Sequence, residues 1–150
     1  KYLEMYHRTF PSIPKWQKVR NREVMKNGEI SSFFGRVRRL PAVSSPERSL
    51  QNEAMRQGTN ARIQMTVADM TSWIVTKVGD YLEELKTDSV VVGTVHDSVV
   101  MDVHNDERDD VLSVLDLVME DLHNTFSWVT IPMVLDKSAG PSWDEQEDLS

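Results

Sequence analysis

The stretch from Ser89 to Val103, SVVVGTVHDSVVMDV, decides the fold. Two valine-rich runs stand on either side of His96, Asp97 and Ser98, and β-branched residues favour strands. Because only three residues separate the runs, they predict an antiparallel hairpin with those three residues at its tight turn. A turn at the end of a sheet holds its side chains where a ligand can reach them. Taken alone, however, a His-Asp pair is more often a turn whose Asp side chain bonds its own backbone.

Helical patterns lie on both sides of the hairpin. A long amphipathic helix is predicted over residues 63–85 from apolar residues that recur every three or four positions: Ile63, Val67, Met70, Ile74, Val78 and Leu82. A shorter helix should begin near Glu47 after a cap at Ser45, and Gly58-Thr59-Asn60 should interrupt it. After the hairpin, Asp106 should cap a helix with an apolar face of Val111, Leu115, Val118 and Leu122. Residues 132–135 then favour a short strand, and the acidic tail after Trp143 should be frayed.

The first 46 residues predict helices and a basic ribbon. Residues 1–10 have helical spacing without a preceding cap, so the start resembles a cut, and a second helix should end at Asn27-Gly28. Two short runs flank Gly35 as a hairpin or bent ribbon. Three arginines alternate on it and could present guanidinium groups to phosphates, although a solvated basic hairpin fits the pattern almost as well: Arg36, Arg38 and Arg39. Helices and antiparallel strands together predict an α+β fold.

The charges are distributed very unevenly along the chain. Residues 1–62 hold 13 Lys and Arg against 5 Asp and Glu, a net of +8, whereas residues 63–150 hold 4 against 19, a net of −15. A basic region can follow phosphates while an acidic region holds divalent cations. Part of the acidity is expected to be solvated helix surface, at Asp106, Glu107, Asp109 and Asp110.

Composition excludes several classes of site. The chain has no cysteine, so it has no disulfide, thiolate metal site or cysteine nucleophile. No run approaches about 18 apolar residues and no charged-then-apolar leader opens the chain. We therefore expect no membrane partner and a cytoplasmic location.

Four separated blocks resemble, in the family's own order, the family A DNA polymerases. They are GRVRRLP at residues 35–41, then Arg56, Asn60 and Gln64 spaced as R-x-x-x-N-x-x-x-Q with Ala68-Asp69 after them, VHDSVVMDV at 95–103, and Gly140 to Trp143. Four ordered blocks are more specific than any single motif, and the resemblance covers nearly the whole chain. It implies the C-terminal palm of a right-hand polymerase, incomplete here, in which an antiparallel sheet and its motif-bearing hairpin pack against long helices. Residues 1–46 would follow the fingers, and residues 47–150 would be the palm subdomain.

The resemblance also implies a reaction and its site. The chain would be part of a template-directed DNA polymerase that transfers a nucleotide from a dNTP to a primer 3'-end with two Mg²⁺ ions. Asp97 matches the second of the family's two metal-binding aspartates, and His96 would position the primer end. Ser98 stands where the family most often has glutamate. Nothing before Arg36 supplies the first aspartate, so the ions would be shared with residues outside this chain.

The resemblance places primer-template DNA on one helix face. Arg56, Asn60 and Gln64 would contact the duplex, with the two amides reaching minor-groove acceptors that every correct base pair shares. An ordinary polar helix face is the alternative. Asp69 is expected to be structural, and the family usually has Pro and Gly where this chain has Arg62 and Met65.

The missing parts imply a partner. A companion chain, or an N-terminal portion, would carry the first aspartate and the fingers, and the cell would be bacterial or phage-infected. By itself the chain should then be inactive. Two alternatives stay open: a non-catalytic DNA-binding or assembly subunit, favoured by Ser98 and Met65, and a metal-dependent nuclease that uses Asp97 with Asp102.

Overall fold

The computed structural model describes residues 2–149, which form helices and small antiparallel strand pairs. The α-helices are α1 (Tyr2–Thr9), α2 (Ser12–Asn27), α3 (Arg48–Leu85) and α4 (Arg108–Thr125). The strands form three antiparallel pairs: β1 (Glu29–Ser31) with β2 (Val37–Arg39), β3 (Val90–Val95) with β4 (Ser98–Asp102), and β5 (Ser138–Ala139) with β6 (Glu147–Asp148). Short 3₁₀ turns precede the two later helices, at Pro41–Ser44 and Asn105–Glu107. This composition confirms the predicted α+β class.

The chain divides by its internal contacts into two units, between Met70 and Thr71. In the first unit, Gly28 ends α2 as predicted: it has a left-handed φ of 68°, and its amide donates to the carbonyl of Val24. The core of this unit contains side chains from α2, the β1–β2 ribbon, the first 3₁₀ turn and α3: Val24, Ile30, Leu40, Val43, Ala54 and Ala61.

The predicted break at Gly58 is wrong, because α3 continues through it as a single helix. Gly58 is buried, and a Cβ atom on it would lie 2.5 Å from Val24 Cγ2 and 2.8 Å from Leu40 Cδ1. Both distances are shorter than carbon atoms tolerate, so a side chain would have to displace its neighbours. Glycine therefore allows close packing here, and it does not end the helix.

The predicted apolar face of α3 is correct only in its second part. Ile74, Val78 and Leu82 are buried, whereas Ile63 and Val67 are about half exposed. Before Met70 the helix instead buries small residues spaced for one face, namely Ala54, Gly58 and Ala61.

The second unit joins the later part of α3 to α4. The Tyr81 hydroxyl donates a hydrogen bond to Asp121 Oδ2 at 2.7 Å, and the Trp73 ring meets Phe126 edge to face with centroids 5.3 Å apart. The buried residues of α4 are Val111, Val114, Val118 and Leu122, and the predicted Leu115 is only half buried.

Three local predictions in this unit are wrong. Asp106 does not cap α4, since it lies in the preceding 3₁₀ turn and its amide donates to His104 Nδ1 at 3.4 Å. Residues 132–135 form no strand, and the Met133 amide donates to His123 Nε2 at 3.3 Å where a strand would donate to a neighbouring strand. The acidic tail also pairs as β6, and the Leu149 amide donates to the carbonyl of Lys137 at 2.8 Å.

The helices were compared with the length and hydropathy that a membrane span requires. Between residues 2 and 149, none is both long enough and apolar enough to cross a bilayer.

Candidate functional site

The candidate metal ligand lies at the tip of the β3–β4 hairpin. The predicted three-residue turn is wrong in one position: Val95 pairs with Ser98, so the turn contains only His96 and Asp97, and Ser98 is the first residue of β4. His96 has a φ of 56°, a left-handed conformation in which histidine is enriched over most residues. The side chains of His96, Asp97 and Ser98 are all exposed. The structure therefore brings these three predicted residues together where a ligand can approach.

The hairpin tip can supply one carboxylate to a metal ion. Carboxylate oxygens are the protein ligands that Mg²⁺ prefers, and it commonly binds through one or two of them with phosphate oxygens and water. Within residues 2–149, no three His, Asp or Glu side chains are grouped closely enough to hold an ion. Asp97 is the carboxylate that the hairpin tip exposes.

Asp102 does not share this tip. It pairs with Val90 at the far end of β4, five residues from Asp97. At about 3.3 Å per residue, the two backbone positions are roughly 16 Å apart. This separation argues against the predicted nuclease alternative, which needs both carboxylates at one ion.

A β-bulge separates the tip of the hairpin from its base. Val91 pairs with Met101 and Gly93 pairs with Val100, which leaves Val92 as an extra residue in β3. Bulges of this kind increase the local twist and redirect the residues beyond them. The valine-rich pattern did not reveal the bulge, although a glycine inside a strand is the usual signal for one.

The base of the hairpin is held by Glu107. One carboxylate oxygen accepts from the amide of Asp88 at 2.9 Å, and the other accepts from the amide and the hydroxyl of Ser89 at 2.9 and 2.5 Å. The Ser89 hydroxyl oxygen also accepts from the amide of His104 at 3.0 Å, which joins the start of β3 to the residues after β4. The expectation that Glu107 is only solvated surface is therefore wrong.

These hydrogen bonds change the acidity of Glu107. The bond from the Ser89 hydroxyl, followed by that from the Asp88 amide, lowers the pKa of this carboxyl below its ordinary value, because each favours the charged form. Sequence reasoning missed this group because an acidic run predicts exposure, and the partner serine lies 18 residues earlier.

The candidate DNA-binding residues of α3 lie on one exposed stripe. Arg56, Asn60 and Gln64 are spaced by four in a continuous helix, and all three side chains are exposed. Residues spaced by four lie on the same face, which here is not the face that buries Ala54 and Ala61. The structure brings these three residues together as the spacing predicts.

The unusual Arg62 does not disturb this helix. Its guanidinium lies 3.4 Å from Glu23 of α2 and 4.8 Å from the centre of the Phe33 ring. Glu23 also pairs with Arg20 at 2.6 Å. Arg62 therefore links α3 to α2 and to the β1–β2 loop, and α3 stays helical there and at Met65.

The arginines of the β1–β2 ribbon do not form a single row. Arg36 Nε pairs with Asp69 Oδ1 at 2.9 Å and its Nη2 donates to the carbonyl of Met65 at 3.2 Å, so this side chain is fixed against α3. Arg38 and Arg39 are exposed and form no ion pair with any residue from 2 to 149. As neighbours in a strand they point to opposite faces. Asp69 is a partner of Arg36, in keeping with the structural role expected for it.

Comparison with known proteins gives consistent results. The sequence profile of DNA polymerase family A matches residues 1–145. The chain is 32% identical over 121 residues to a DNA polymerase of Bacillus phage SP01, a match that covers 81% of this chain and 13% of the phage protein. It is 26% identical over 144 residues to DNA polymerase I of Pseudomonas aeruginosa, covering 96% of this chain and 15% of that protein. Thus the chain spans only about one seventh of the length of these relatives.

A solved structure also matches the fold. The POL domain of Pol1 from M. smegmatis, in complex with DNA primer-template and dNTP, aligns with a TM-score of 0.75 and 25% identity. The alignment covers 83% of this chain and 21% of that chain.

Proposed function

The chain belongs to DNA polymerase family A, and on that premise we propose that it forms the C-terminal palm part of a template-directed DNA polymerase. The observation that supports this most directly is the exposed Asp97 at a two-residue turn between antiparallel strands. A carboxylate in that position meets divalent ions without the desolvation cost that a buried group would carry. The proposed role is in DNA replication, by nucleotidyl transfer in a bacterial or phage-infected cell.

The proposed reaction joins a nucleotide to a primer. The primer 3'-oxygen bonds to the α-phosphorus of a dNTP, the bond to the leaving pyrophosphate breaks with its electron pair, and the hydroxyl proton passes to solvent. Two Mg²⁺ ions would supply Lewis-acid stabilisation of the developing charge. Asp97 would hold them together with ligands from outside this chain. His96 and Ser98 would position the primer end beside it.

The proposed DNA contacts divide into two kinds. Asn60 and Gln64 would donate to base edges in the minor groove, and Arg56 would contact the backbone. Arg38 and Arg39 would contribute electrostatically to phosphates. Arg36 would also contact DNA phosphates. It is proposed to order the ribbon as well, since one side of its guanidinium binds Asp69.

The proposed enzyme needs a further carboxylate and a dNTP-binding region. We place these in a companion chain or in another portion of the same polypeptide, and we call the complete active assembly the assembled polymerase. The chain's small share of each relative's length, 13% to 15%, supports this division.

Replacing one carboxylate tests the proposal. In the assembled polymerase, Asp97→Asn should lower primer extension by about 10³-fold or more, since metal stabilisation of transition-state charge is worth several kcal/mol. The matched control is Asp102→Asn on the same hairpin, which should leave extension within about threefold of wild type. Primer-template affinity should stay near wild type in both variants.

Equal extension by wild type and Asp97→Asn would reject the catalytic role. If both variants still bound primer-template normally, the non-catalytic DNA-binding subunit would become the better description.

A further inference from the structure

The helix α2 carries a row of cations that the proposed catalytic and duplex contacts do not use. At 100° per residue, four basic side chains fall within about 80° of arc, on the side opposite the buried Val24. All four are exposed, and together they form what we call the basic stripe: Lys15, Lys18, Arg22 and Lys26. Lys15 and Lys26 are 11 residues apart in sequence, or about 16 Å along the helix axis.

The charges of the basic stripe are not neutralised locally. None of the four forms an ion pair with another residue in the described part of the chain. The one acidic residue of α2, Glu23, instead binds Arg20 and Arg62. A concentrated positive surface of this kind attracts a polyanion, with an affinity that falls steeply as salt rises.

A shallow, open groove lies beside the basic stripe. It has a volume of about 410 Å³ and is lined by two members of the stripe together with amide and apolar side chains: Lys18, Arg22, Gln17, Asn21, Met25 and Met55. A base has a flat apolar face and polar edges, so it matches a groove of mixed lining that has cations along its rim. The apolar part of the lining favours an unpaired base, because the bases of a duplex are stacked on one another and do not expose their faces.

We propose that the basic stripe and its groove bind single-stranded nucleic acid, with the cations following successive phosphates. The inference rests on the proposed polymerase function, in which the single strand is the unpaired template ahead of the primer end. Charge regularity favours nucleic acid over an acidic protein, because a phosphate backbone repeats its charge at constant intervals.

The test compares two primer-templates bound by the assembled polymerase. One has a single-nucleotide template overhang and the other has an overhang of about 12 nucleotides, within the range that single-strand sites cover. The variant is Lys18→Gln/Arg22→Gln/Lys26→Gln. A matched control removes three cations from the acidic half of the chain: Lys77→Gln/Lys86→Gln/Arg108→Gln. Affinity is measured by fluorescence anisotropy over a series of salt concentrations.

Wild type and the control variant should bind the long overhang more tightly than the short one. The stripe variant should lose that difference and keep wild-type affinity for the short overhang, which also shows that it is folded. For the long overhang, its plot of log Kd against log salt should be less steep by about 2, at about 0.7 for each lost single-strand phosphate contact.

Equal preference for the long overhang in wild type and the stripe variant would overturn the inference. The same result is expected if the stripe binds an acidic protein, so that alternative would also overturn it. This failure is separable from failure of the proposed function, because extension would still depend on Asp97. Equal losses in the stripe and control variants would also overturn it, since they would reflect net charge alone.

Discussion

The two parts of α3 are packed in different ways. Before Met70 the helix buries Ala54, Gly58 and Ala61, whereas after Thr71 it buries Ile74, Val78 and Leu82. Small residues let two backbones approach closely, while branched residues fill the space between backbones that are farther apart. The difference shows that one continuous helix can follow the usual apolar periodicity in one part and depart from it in another.

The largest effect should come from removing a branched core side chain in the second part. Leu82 is 4% exposed, so Leu82→Ala should lower the free energy of unfolding by about 2–5 kcal/mol through lost burial and a cavity. Ile63 belongs to the same apolar pattern but is 52% exposed. Ile63→Ala should therefore change the free energy of unfolding by less than about 0.5 kcal/mol. Urea unfolding measures both, and equal losses would contradict the division of α3.

Replacing either of two glycines in α3 should change the free energy of unfolding by an intermediate amount, with opposite signs at the two positions. Gly58→Ala should destabilise the protein by about 1–2 kcal/mol, because overpacking against Val24 and Leu40 exceeds the helix propensity gained. Gly79→Ala should stabilise it by about 0.5–1 kcal/mol, since a Cβ there meets no atom within 4 Å. A stabilising Gly58→Ala substitution would show that close packing is not what keeps glycine at that position.

The smallest effect concerns Tyr81 and depends on pH. The hydrogen bond to Asp121 raises the pKa of Tyr81 above its ordinary value of 10.0, because loss of the phenolic proton would leave two negative groups in contact. The stability from this bond is therefore fully present below pH 10 and is lost as pH rises through the higher folded-state pKa. Wild type should have a higher Tm than Tyr81→Phe at pH 8, and the gap should close at higher pH. A gap that is constant across this range would exclude the bond as its source.

The sequence predicted those elements whose signals are local. Gly28 at the end of α2 and the short separation of two valine runs around His96 and Asp97 each specify a backbone geometry by themselves. Periodicity likewise located the buried face of α3 after Thr71. The exposed hairpin tip followed from the same reasoning, because a two-residue turn leaves its side chains outside the strand ladder.

Other features depend on partners that are distant in sequence. From the sequence alone, Gly58 predicts a helix break. Only the structure shows that Val24 and Leu40 pack against it, which explains the glycine. The apolar residues 132–135 predict a strand, but a strand forms only where a second strand can accept its hydrogen bonds. In the structure the Met133 amide donates to the side chain of His123. The spacing of Ile63 and Val67 on α3 likewise could not show which side of α3 packs against α2. In each case tertiary contacts outweigh local propensity.

The extra residue in β3 has a geometric consequence. Because Val92 has no partner in β4, removing it would convert the bulge into a regular ladder and rotate the turn relative to the base that Glu107 fixes. The direction in which the Asp97 carboxylate points can therefore be altered by gaining or losing a single residue, without rebuilding the core. If Asp97 is the metal ligand proposed above, the gain or loss of one residue in β3 would change where its carboxylate meets the ions.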